Sequence, residues 1–172
     1  MEIIRADNSG FCFGVKKALE TTQDQIKESK ASSSKGSLFT CGPLIHNKIV
    51  TSQLENDGVR IIKTPDEAKE GDTIIVRSHG EPKAFYDRMD RLNLNYVDTT
   101  CPFVSKIHTI VNGACKEGKK IIIIGDANHQ EVIATNGWCD NSAYIINSPD
   151  EVEKVESGEY LVVCQTTIRK EL

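Results

Sequence analysis

Short β-branched apolar runs alternate with longer amphipathic stretches along this chain, and that rhythm restricts its fold more than any other feature. The runs lie at residues 2–6, 37–41, 59–63, 73–77, 95–98, 120–125, 143–147 and 160–165. They are short, apolar on consecutive positions and bounded by turn residues, which predicts strands buried on both faces. Between them, helical periodicity covers 15–29, 47–56, 82–92 and 102–117. A β-α-β-α order of this kind folds as an α/β protein, with parallel sheets covered by helices. The rhythm restarts near Cys101, so we expect a first α/β domain over 1–101 and a second over 102–172. "TPDE" at 64–67 and "SPDE" at 148–151 match a capping box with proline at the first helical position, and are punctuation rather than sites. "KASSSKGS" at 30–37 reads as a flexible loop.

The chemically capable residues recur at one place in this rhythm. Cys12 precedes the first helix, His46 follows "LFTCGPLI", His79 follows "TIIVRS" and Cys101 follows "NYVDTT". His129 after "IIIIGDAN" and Thr166 after "YLVVCQ" continue the series. In open parallel sheets, ligands bind outside the carboxyl ends of the strands. Helix N-termini there offer unpaired N–H groups and a positive dipole end, which favour a thiolate or a phosphate. Cys12 and Cys101 are thus placed as thiolates, and His46, His79 and His129 as donors to an anion. In "TTCP" the two threonines are expected to cap the helix that Pro102 begins. Glu131, two residues after His129, is placed as a general acid with the histidine beside it as a proton relay.

Each of these has a plainer alternative. Cys12, between Phe11 and Phe13, can be a small buried hydrophobe. The histidines can be loop residues with satisfied rings, Glu131 a solvated helix start, and His108 a surface or half-buried position in a helix. Cys41, Cys115, Cys139 and Cys164 lack a comparable frame, so core packing is expected for them. Six cysteines in 172 residues with ample apolar content read as reduced thiols rather than a stapled secreted scaffold. A net charge of −4 argues against a nucleic-acid surface, so an anionic ligand needs a local pocket. No run approaches a membrane span and the start lacks a signal peptide, which predicts a cytoplasmic protein that does not engage a membrane.

Taken together, "GFCFGVKKA", "GPLIHN", "RSHG", "DTTCPFV", "HQEV" and "QTT" resemble the 4-hydroxy-3-methylbut-2-enyl diphosphate reductase family, the iron-sulfur enzymes of the last step of the non-mevalonate isoprenoid pathway. The resemblance implies small α/β domains around a central site and a 4Fe-4S cluster with Cys12 and Cys101 as ligands. By the same resemblance, His46, His79 and His129 bind diphosphate, His129 and Glu131 handle protons, and Thr166 contacts the substrate hydroxyl. It further implies reductive dehydroxylation of the allylic diphosphate, with electrons from an external ferredoxin or flavodoxin; no nucleotide-binding glycine fingerprint occurs here. Gln130 stands where the family usually has proline, and Ala134 where it often has glycine. The resemblance also implies that the family continues past "QTT" into a third α/β domain with a third cluster cysteine, so these residues are expected to correspond to its first two domains. None of the other four cysteines stands in a motif matching that ligand. Two rival readings follow: a diphosphate-binding fragment without a cluster, and a zinc hydrolase using Cys12, Cys101 and a histidine. The second lacks any Cys-x-x-Cys or His-x-x-x-His clamp.

Overall fold

The computed structural model describes residues 2–4, 6–7, 9–31 and 36–168. Strands β1 (Leu38–Cys41), β2 (Val59–Ile62), β3 (Thr73–Val76) and β4 (Asn95–Asp98) form a parallel sheet in the order β2-β1-β3-β4. Leu38 lies opposite both Val59 and Thr73, and Thr73 opposite Asn95. The interior strands β1 and β3 are almost wholly buried while the edge strand β4 is largely exposed. Successive strand side chains point to opposite faces. Ile75 therefore packs with Leu38 beneath Ile26 of α1 (Phe13–Ala31) and Leu54 of α2 (Lys48–Asn56). Ile74 and Val76 pack on the other face with Phe39 and Met89, the latter from α3 (Lys83–Arg91).

A second parallel sheet, β6-β5-β7, is built from β5 (Lys120–Ile124), β6 (Tyr144–Ile146) and β7 (Tyr160–Cys164). Its core joins Val111 of α4 (Pro102–Lys116), Val132 of α5 (Gln130–Asn136), Ile121, Ile123 and Val163. Helix α4 packs on β5, β7 and α5, all elements of this second unit. Among the described residues no helix is long and apolar enough to cross a membrane.

Several boundaries differ from expectation. Among the described residues of 2–6 no strand forms: they are coil, and Ile3 and Ile4 are 82% and 84% exposed. A β-branched run becomes a strand only against a pairing edge, and no described strand pairs with it. Helix α1 starts at Phe13, two residues early, which leaves Cys12 at its N-cap. Helix α5 was not among the expected helices, and only the alternative reading of Glu131 as a helix start pointed to it. The "TPDE" and "SPDE" turns form as 3-10 helices, with the Glu67 carboxylate accepting from the Lys63 and Thr64 N–H groups at 2.7 and 3.1 Å. Residues 32–35 of the expected loop lie outside the described residues.

Strand order decides where a ligand can enter. From β1 the chain crosses to β2 on one side and then to β3 on the other, so the sheet has a topological switch point between β1 and β3. The order β6-β5-β7 places a second one between β5 and β7. At such points the loops leaving the strands diverge and open a crevice. The four loops concerned carry His46, His79, His129 and Thr166.

Candidate functional site

Both thiols sit at helix N-caps. The Cys12 carbonyl accepts from the Lys16 N–H, and that of Cys101 from Ser105, each at 2.9 Å. Each cysteine therefore adjoins the unpaired N–H groups and positive dipole end of a long helix. The expected threonine caps are absent. Thr99 Oγ1 donates to the Val76 carbonyl and Thr100 Oγ1 to Asp98 Oδ1, both at 2.5 Å, so the hydroxyls fasten the strand ends, while Cys101 holds the N-cap position of α4 without a side-chain capping hydrogen bond. The Cys101 N–H donates to the Ser78 carbonyl at 2.9 Å, tying the thiol to the loop after β3. On the other side, a Cβ at Gly14 would lie 2.6 Å from Cys101 Sγ. Glycine in the first turn of α1 is what allows that helix to rest on Cys101.

Cys12 is exposed, as are Phe11 and Phe13, which removes the buried-hydrophobe alternative for it. Cys41 and Cys139 are buried as expected, and burial, aided by the Glu81 charge, pushes the Cys41 thiol up to about 12. Cys164 is exposed rather than core-packed, because β7 is an edge strand.

The three histidines converge. Ring centroids of His46 and His79 are 4.8 Å apart, and His129 lies 6.2 Å from His46 and 6.3 Å from His79. Burial, reinforced by Arg77 and then by His46 and His129, pushes His79 down to about 4, so its ring is neutral at pH 7. Its Nδ1 is buried without a hydrogen-bond partner, a polar atom left for something else to satisfy. His129 Nδ1 accepts from the Glu131 N–H at 3.2 Å. A neutral imidazole accepting at Nδ1 carries its proton at Nε2, which makes His129 a donor there.

Glu131 is only 3% exposed. Its Oε1 accepts from the Thr166 N–H at 2.5 Å and its Oε2 from Thr166 Oγ1 at 2.8 Å. The carboxylate at the start of α5 is thus joined to the end of β7, and Thr166 Oγ1 is the group through which it can exchange a proton.

Cys12, Cys101, His46, His79, His129, Glu131 and Thr166 all line one cavity of about 320 Å³, with Phe11, Gly14, Ile45 and Val104 among its apolar walls. Two thiols in one cavity, one held by a glycine cradle, suit two ligands of a thiolate-bound cluster. Among the described residues, no group of three or more His, Cys, Asp or Glu is placed to hold a metal ion.

Sequence reasoning missed His108. It is buried, stacks on Trp138 with centroids 5.5 Å apart, and is pushed down to about 4 chiefly by burial. The signal was its spacing: Val104, His108 and Val111 fall on one face of α4.

The LytB protein family model matches residues 3–172. A relative named 4-hydroxy-3-methylbut-2-enyl diphosphate reductase from Alkaliphilus oremlandii is 45% identical over 173 residues, covering 100% of this chain and 60% of the relative. One of the same name from Clostridioides difficile is 42% identical, covering 100% and 61%. A solved structure of (E)-4-hydroxy-3-methyl-but-2-enyl diphosphate reductase, described as the terminal enzyme of the non-mevalonate pathway, matches with a TM-score of 0.80 at 36% identity over 98% of this chain and 59% of its own. The Plasmodium falciparum reductase structure matches with a TM-score of 0.87 at 30% identity over 96% of this chain and 51% of its own. The chain therefore spans about 60% of the length of the curated relatives it matches.

Proposed function

The chain belongs to the LytB protein family, and from that premise we propose that it forms the diphosphate-gripping, thiolate-bearing part of a 4-hydroxy-3-methylbut-2-enyl diphosphate reductase. The observation that carries this reading is convergence: residues from the switch points of two separate sheets, together with two helix N-cap cysteines, line a single cavity. The reaction is the two-electron, two-proton removal of the substrate hydroxyl as water, yielding isopentenyl and dimethylallyl diphosphate. Electrons come from an external carrier of the ferredoxin or flavodoxin type.

Cys12 and Cys101 would hold a 4Fe-4S cluster, with further ligation from outside the described residues. When bound, that group supplies electrons and a Lewis-acidic iron. The chain's own residues do the rest. His46, neutral His79 and the Nε2–H of His129 donate to the diphosphate oxygens. Diphosphate charge in the cavity favours the protonated form of His79, so binding and proton uptake are coupled there. A proton delivered to Glu131 would pass to Thr166 Oγ1 as Thr166 gives its own to the departing hydroxyl.

The test is anaerobic reconstitution with iron and sulfide, followed by iron and acid-labile sulfide counts. The wild-type chain is expected to retain both, and Cys12→Ser and Cys101→Ser to lose them. Equal counts in all three would reject the ligand assignment. A second reading is an anion-binding unit without a cluster; pyrophosphate binding without retained iron would favour it.

A further inference from the structure

Beside His79, the loop after β3 carries two charged side chains that are largely buried. The side chains of Arg77 and Glu81 are only 12% and 7% exposed, and both Arg77 Nε and Nη2 approach Glu81 Oε1 at 2.6 Å. A buried guanidinium is tolerated only when its planar fork is satisfied, and the fork then has a fixed direction. Here Nη2 also donates to Gln130 Oε1 at 3.3 Å, across to the other unit. Nη1 packs on Gly42, where a Cβ would lie 3.0 Å away and φ is +82°. One guanidinium therefore touches the loop after β1, which leads to His46; its own loop, which holds His79; and Gln130, the residue between His129 and Glu131. The same loop is gripped again nearby: Trp138 Nε1 donates to the Glu81 carbonyl at 3.0 Å.

We propose that Arg77 and Gln130 are positioning residues, forming a strut between the two units that sets the first turn of α5, and with it His129 and Glu131, against His46 and His79. This rests on reading the cavity as a diphosphate site. Neither residue needs to touch the ligand. The strut acts by holding two half-sites in register, and a hydrogen bond to a charged donor is strong enough to matter for that. Gln130 is the more informative position, because Gln130→Met keeps the side-chain length and removes only the acceptor, without stranding a buried charge.

The experiment compares wild type, Gln130→Met and Gln130→Glu in the full chain. It uses calorimetric titration with pyrophosphate, thermal melting, and the backbone amide NMR resonance of Glu131, whose N–H is bonded to His129 Nδ1. Gln130→Met is expected to bind pyrophosphate about tenfold more weakly, to melt close to wild type and to move the Glu131 resonance. Gln130→Glu, which keeps an acceptor for Arg77, is expected to retain that resonance. Wild-type affinity with an unmoved resonance in Gln130→Met, or the same displaced resonance in Gln130→Glu, would overturn the strut. Should the wild type fail to bind pyrophosphate, the diphosphate reading falls, and the Glu131 resonance alone still decides the strut.

Discussion

Replacing Gly14 with alanine tests whether the first turn of α1 holds the Cys101 thiol in place. The new Cβ would lie 2.6 Å from Cys101 Sγ and 3.0 Å from Cys101 Cβ. Carbon contacts are comfortable at about 3.5–4.0 Å, so α1 and the start of α4 must separate by roughly 1 Å. Overpacking of this kind costs about 1–3 kcal/mol, while alanine in place of a helical glycine returns about 1 kcal/mol. The net loss is then about 0–2 kcal/mol, a fall of no more than about 8 °C in melting temperature for a protein of this size. The larger effect is local. The Cys101 thiol loses its cover, and its alkylation by iodoacetamide, followed by peptide mass spectrometry, should accelerate about threefold or more. Gly113→Ala is the control: it also lies in a helix, no atom is within 4 Å of its added Cβ, and it should raise the melting temperature without altering Cys101. An unchanged Cys101 rate and melting temperature in Gly14→Ala would refute the cradle.

Three further outcomes follow from the same geometry. His79 and His108, each pushed down to about 4 mainly by burial, bind protons more weakly folded than unfolded. Between their unfolded value near 6.5 and about 4 the unfolded chain therefore carries the extra protons, and stability falls as pH falls, by about 1.4 kcal/mol per pH unit for buried His108; urea melts at pH 7 and 5 would show no difference if this is wrong. Pyrophosphate binding at pH 5–6 should take up protons at His79, seen as a buffer-dependent calorimetric heat; identical heats in buffers of different ionisation enthalpy would contradict it. Glu131→Gln leaves one Thr166 donor without its acceptor and should cost about 1–3 kcal/mol of stability, and in a chain extended to the relatives' length it should abolish turnover while sparing the cluster spectrum; retained turnover would remove the acid role.

How far the site was legible depended on what kind of signal each residue left. His46, His79, His129 and Thr166 follow β-branched runs directly, so locating strand ends located them, and strand order then explains why they meet. Glu131 was legible through its spacing from His129, although the helix it opens is too short for periodicity to reveal. Cys101 was found for a partly wrong reason, since Thr99 and Thr100 bond to strand ends and do not cap the helix. His108 was misplaced because one polar residue on an apolar face does not announce its burial. The Arg77–Glu81 pair was not singled out from the sequence, because only tertiary packing buries it and gives Gln130 a partner. The run at 2–6 had strand character but no described strand to pair with, and pairing is decided outside the segment itself.

The central claim is that switch-point loops from two separate sheets build one anion site. Pyrophosphate titration of His46→Gln, from the first unit, and His129→Gln, from the second, tests it most directly. The account predicts that each single substitution weakens binding about tenfold or more. Binding that depends on one unit alone, or on neither histidine, would contradict it.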